Sequence, residues 1–174
     1  MVDRGLRDQL AEAIHAFAAG YLTTDEFDDR LLKTAHPLLS VPGDFTDGVI
    51  GPVSERAWCL YSDTRTYRLV GKDRIGPATR RDVLRWVLFL HSDREYEWPL
   101  FRTINPAIDS MSGCLLSLAT FGFLPHRRKL RAYEQWRQSG DEDVWPFFRR
   151  DDYDAAARQS CPVGDLRSAA LHRK

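Results

Sequence analysis

Cysteine is scarce in this sequence and nothing pairs it: Cys59, Cys114 and Cys161 stand far apart, in odd number, with no CxxC spacing. That argues against a disulfide framework and against a zinc site of ordinary ligand spacing. Thiols that stay reduced fit a cytoplasmic setting, which is the expected location. Net charge is missing as well. The 25 basic and 25 acidic side chains cancel, so the chain lacks the positive field on which general nucleic-acid binders draw. Weak mutual repulsion leaves self-association open. The opening stretch MVDRGLRDQLAEAIHAF is charged every few residues and has no apolar core of signal-peptide type. The apolar run Met111–Leu124 is shorter than the ~18–20 residues that cross a bilayer.

Catalytic signatures are also lacking. There is no GxGxxG or GxxxxGK(S/T) loop to cradle a phosphate, no GxSxG elbow and no HExxH pair. No two of the five histidines lie within five residues of each other. No cofactor is expected, and no metal site is legible from spacing.

What is present is a chain of 174 residues with 43% apolar content, enough for one domain with a hydrophobic core. The pattern is helical. Val2, Leu6, Leu10, Ile14, Phe17 and Tyr21 recur at steps of three and four, which predicts an amphipathic helix from Val2 to Ala19. Gly20 then suits a left-handed C′ position. Thr23 with Glu26 three residues on forms a capping box for a second helix, and Leu22 and Phe27 occupy the two positions of a hydrophobic staple. Asp25 and Glu26 suit the positive end of that helix. Phe27, Leu31 and Ala35 give its apolar stripe, and Pro37 ends it.

The stretch from Gly20 through Tyr21, Leu22, Thr23, Asp25, Glu26 and Phe27 to Leu31 resembles the turn of the SHOCT (short C-terminal) helical hairpin. It is also similar to a hairpin at the N-terminus of many actinobacterial envelope-associated proteins. The resemblance covers roughly the first 35 residues, and it sits at the opposite end of the chain from the first family's. It implies an oligomerisation or docking module without catalysis.

Further on, Pro52 is expected to open a third helix with Val53, Ala57, Leu60 and Tyr61 on its buried face. Thr64–Ile75 reads as one short hairpin or an extended loop. Pro77 opens a fourth helix whose second half, Val83 to Leu90, is apolar on nearly every side and is taken as the centre of the domain. An apolar helix is expected over Ile108–Leu124. Beyond Pro125 another follows, with Leu130, Tyr133 and Trp136 on its inner face and Gly140 at its end. The aromatic segment Val144–Phe148 is expected to pack back on the core, with a short helix after it capped by Asp151 and Asp152. The fold class that results is mainly α, an irregular multi-helix bundle around a central apolar helix with at most one short β-hairpin. The expected organisation is a helical hairpin over 1–36 packed on the core, a main helical domain over 37–160 and a loose polar tail over 161–174.

Three groups of residues carry candidate chemistry. Asp93, Glu95 and Glu97 alternate in a non-helical stretch, so an extended backbone would bring their carboxylates to one side beside His91, as a divalent-cation site requires. The nuclease-like D…ExK pattern is absent, because Glu97 and Pro99 stand where its lysine would be. Tyr96, Trp98 and Phe101, with Trp145, Phe147 and Phe148, form two aromatic clusters; exposed they would be binding hot spots, and buried they would be core anchors. Arg127, Arg128, Lys129 and Arg131 make a basic run that suits phosphates or an acidic lipid surface, with Asp141, Glu142 and Asp143 downstream to neutralise it. Taken together, these features favour a non-enzymatic interaction or scaffold protein that binds a protein partner or itself. Two other readings stand beside it: a small metal-dependent hydrolase built on His91, Asp93, Glu95 and Glu97, and a peripheral membrane protein built on the apolar helix and the basic run.

Overall fold

The computed structural model describes residues 1–34, 47–62, 64–99 and 123–159. Among them are six α-helices and no β-sheet, so the fold is mainly α. The helices are α1 (Arg4–Ala18), α2 (Thr24–Thr34), α3 (Ile50–Trp58), α4 (Pro77–Leu90), α5 (Phe123–Arg137) and α6 (Arg150–Gln159).

Helix α1 starts where Asp3 accepts a hydrogen bond from the Leu6 N–H, which satisfies one of the free donors of a helix start. It buries Leu10, Ala11, Ala13, Ile14 and Phe17 against α2, α3 and, most extensively, α4. The centre is thus a helix pair, α1 with α4, and α4 also meets α6. The two ends of the expected α1 stripe differ from its middle: Leu10, Ile14 and Phe17 are fully buried, whereas Tyr21 is 62% exposed because the chain has already turned at Gly20.

That turn is built as the residues dictate. Gly20 has φ 78°, the left-handed conformation that an L side chain resists. The capping box closes reciprocally: the Thr23 N–H donates to Glu26 Oε2 at 2.7 Å and the Glu26 N–H donates to Thr23 Oγ1 at 3.2 Å. Those bonds hold the exposed Glu26 carboxyl below its usual range, helped by Arg68 and Arg30. Phe17 and Phe27 stack at 4.3 Å, and Tyr61 meets both edge-on. Pro37, the expected end of α2, lies outside the described residues.

Helix α3 begins two residues before Pro52, which occupies the first turn, where its missing N–H costs nothing. Of the two alternatives expected for Thr64–Ile75, the extended loop is the one observed, a strap that lies across the start of α2 and holds one helical turn. The Thr24 N–H donates to the Tyr67 carbonyl at 2.9 Å, Thr24 Oγ1 donates to the Arg65 carbonyl at 3.2 Å, and one isolated antiparallel bridge joins Thr23 to Arg68. A single helical turn, Gly71–Asp73, follows before Pro77 opens α4.

Helix α4, although apolar on nearly every side in its second half, is not buried on all of them. Val83, Trp86, Phe89 and Leu90 are buried, while Leu84 is 42% exposed. Helix α5 carries Pro125 within its first turn rather than starting after it, and Phe123 and Leu124, expected at the end of an Ile108–Leu124 helix, belong to α5. The rest of the expected Ile108–Leu124 helix lies outside the described residues. On α5, Trp136 faces inward and Tyr133 is half-buried, but Leu130 is 46% exposed. The aromatic segment closes the core as expected: Val144, Trp145 and Phe147 are buried, with a cis bond between Trp145 and Pro146.

Candidate docking groove

The carboxylates at 93, 95 and 97 do not converge. Asp93 lies 3.7 Å from Arg4, Glu95 lies 3.6 Å from the N-terminal amine, and Glu97 lies 3.3 Å from Arg149. His91 Nδ1 is 3.4 Å from Asp8. Each acid is drawn to a different cation. Among the described residues no three His, Cys, Asp or Glu side chains come together to hold a metal ion. The metal-dependent hydrolase reading loses the geometry it required.

Of the aromatic candidates, Trp98, Trp145 and Phe147 are buried and Tyr96 and Phe148 half-buried, while Phe101 lies outside the described residues. Trp98 is 3% exposed; its indole N–H donates to the Phe147 carbonyl at 3.0 Å and its ring packs 4.6 Å from Trp136. The Trp145 indole N–H donates to the Tyr96 hydroxyl oxygen at 3.2 Å, and burial pushes the Tyr96 phenol well above its ordinary value. Trp98 is thus a core anchor and not an exposed hot spot, since Phe147 and Phe148 fold back to cover it. In the basic run, Arg131 is exposed on α5, and the side chains of Arg127, Arg128 and Lys129 lie outside the described atoms. The expected neutralising acids pair elsewhere: Glu142 lies 2.7 Å from Arg137, and Asp141 lies 3.0 Å from Arg150.

One polar cluster escaped the sequence reading. Arg7 is 0% exposed and Asp47 2%. Arg7 Nε and Nη2 donate to the two Asp47 carboxylate oxygens at 2.6 and 3.0 Å, and Nη1 donates to the Ser92 carbonyl at 2.9 Å. The Asp3 N–H adds a third bond to Asp47 at 2.9 Å. Burial alone would push this carboxyl up; the bonds from Arg7 and Asp3 outweigh it and hold the group below its ordinary value. The guanidinium also lies over the Phe89 ring. With its donors and acceptors engaged, the cluster ties α1 to the start of α3 and the end of α4, and serves as a structural clamp.

The surface feature with binding character lies where the end of α1, the strap and the first half of α4 meet. A groove of about 310 Å³ opens there. Leu69 and Val83, both buried, form its floor, and Tyr21, Val70 and Leu84 form an apolar rim. Among the described residues the other large exposed apolar side chains, Met1, Leu32 and Leu130, do not line it. The rest of the lining is Ala18, Ala19 and Gly71 with His15 and two arginines, Arg74 and Arg80, and no described carboxylate. Position 20 has no side chain where Val70 leans over it: a Cβ there would lie 2.5 Å from Val70 Cγ1 but 3.5 Å from the Leu69 carbonyl, so the Val70 side chain would have to turn aside. Arg68 secures the strap by donating to the Tyr21 carbonyl. No sequence signal marked the groove, because its rim is assembled from three separate segments.

Fold and groove define a mainly α-helical protein bearing a basic, apolar-floored cleft. No family model matches the chain, and neither does any curated protein or solved structure. Among the described residues no helix is long and apolar enough to cross a membrane.

Proposed function

We propose that this chain is a non-enzymatic interaction protein that docks a protein partner through the groove between α1, the strap and α4. The observation that carries this reading is the gathering of exposed apolar side chains around one cleft. Tyr21, Val70 and Leu84 are 62%, 53% and 42% exposed, and all three line this groove, so half of the six large exposed apolar side chains among the described residues gather at one place. The resemblance of the Gly20–Leu31 turn to docking hairpins points the same way, and Tyr21 of that turn stands on the rim.

A photo-crosslinking residue placed at Leu84 and, separately, at the exposed Leu130 tests the reading in the source cell. A discrete protein adduct is expected from position 84 and none from position 130. Equal, diffuse labelling from both positions, or none from 84, overturns it.

A further inference from the structure

We propose that the groove receives an acidic amphipathic segment of the partner protein, seating one apolar side chain on Leu69, Val83 and Leu84 while its carboxylates meet Arg74 and Arg80. This inference rests on the docking reading above and specifies the chemistry of the occupant.

Charge complementarity carries it. The groove wall holds two arginines and a histidine, with no described acid. The acids closest in sequence are already engaged: Asp73 lies 2.6 Å from Arg65, and Asp82 pairs with Arg85. Some arginines elsewhere on the surface find acids, as Arg94 does with Asp152 and Arg150 with Asp141; Arg74 and Arg80 differ in lining one groove together. Neither Arg74 nor Arg80 meets a carboxylate among the described residues. Arg74 is exposed and Arg80 is half-buried beside the first turn of α4, whose helix dipole adds positive potential at that end. Guanidinium groups so placed select planar carboxylates, which accept two parallel hydrogen bonds.

Shape narrows the class. The volume of about 310 Å³ is at the small end of the roughly 300–1,000 Å³ of small-molecule sites. Such sites enclose most of their ligand, whereas the rim residues here lie open. An inserted side chain with flanking backbone covers Tyr21, Val70 and Leu84; a free phosphate would satisfy the arginines and leave the apolar floor bare. An acidic segment answers both demands at once.

The test pans a display library of short random peptides on the intact protein. Enriched peptides are expected to combine two or more Asp or Glu with Leu, Phe or Trp. Their affinity, read by fluorescence anisotropy, is expected to fall about tenfold or more for each charge-assisted bond removed in Arg74→Glu/Arg80→Glu. Peptides with lysine in place of the acids are expected to bind that variant instead. Should the charge-reversed protein fail to match the wild-type circular dichroism melt, Arg74→Gln/Arg80→Gln replaces it with the same expected loss. Leu84→Glu is expected to abolish binding of both peptide sets.

Enrichment of neutral or basic peptides, or binding indifferent to both arginine variants, overturns the inference. If the position-84 crosslink persists in that case, the docking reading survives. With no peptide enriched the inference also falls. Light scattering and sedimentation with phosphatidylserine–phosphatidylcholine vesicles then identify the replacement: a dimer lost in Leu84→Glu means a second copy, and vesicle binding means a lipid surface. Failure of every arm together with a silent crosslink removes both readings.

Discussion

At the scale of single residues, the strongest constraint is the buried pair Arg7–Asp47. A buried ion pair is not in itself evidence of stability, because desolvation offsets its Coulomb energy. Removing one partner is different, since the other charge is left in the core. Arg7→Ala is therefore expected to lower the unfolding free energy by about 3–5 kcal/mol, read from urea denaturation. Arg7→Lys is not a conservative change, because an ammonium cannot serve two carboxylate oxygens and the Ser92 carbonyl in one plane. The pair also sets a pH dependence. The folded-state Asp47 carboxyl is held below its unfolded value of about 4. Its contribution is complete above that unfolded value and is lost as pH falls through the lower folded value. Urea midpoints measured from neutrality into acid are expected to fall less steeply for Asp47→Asn than for the wild type. Arg7 was legible in part, since it precedes Leu10, Ala11 and Ile14 by three, four and seven residues and so faces the core with them. Its partner was not, because Asp47 lies 40 residues away in a Pro- and Gly-rich connection.

At the scale of elements, legibility followed the reach of the interaction. The α1–α2 turn is governed by contacts within a few residues, so Gly20, Thr23 and Glu26 announced it. Helix starts at prolines were legible to within a turn: α4 begins at Pro77, whereas α3 and α5 begin two residues before theirs. An extended loop was one of the two alternatives read for the strap, but its docking was not readable, since its bonds run from Thr24 to Arg65 and Tyr67 across the fold. Gly20→Ala probes both kinds of contact. A left-handed alanine costs roughly 1–2 kcal/mol, and its Cβ meets Val70 at 2.5 Å. The expected result is a lower thermal midpoint together with weaker binding of the selected acidic peptides, because the Val70 side chain is pushed off the groove rim. A variant destabilised but unchanged in affinity would show that Val70 does not shape the site.

At the scale of the whole molecule, helical periodicity sufficed for the fold class, because burying a stripe every three to four residues leaves a helix bundle as the economical solution. It did not suffice for the site, where the described acidic candidates dispersed into ion pairs and the described aromatic ones into the core and its edge. The groove draws on residues 15 to 84, and nothing local distinguishes a rim leucine such as Leu84 from its buried neighbours Val83 and Trp86. One consequence reaches beyond the cleft. The strap that walls it is stitched to the opening turn of α2, so occupancy and the fraying of that turn are thermodynamically linked. Ligand held against Val70 suppresses openings that would release Thr24 from Tyr67. Hydrogen–deuterium exchange at the Thr24 and Phe27 amides is accordingly expected to slow when the acidic peptide is bound, at a place the peptide never touches, and unchanged exchange there would mean the strap and the helix open independently.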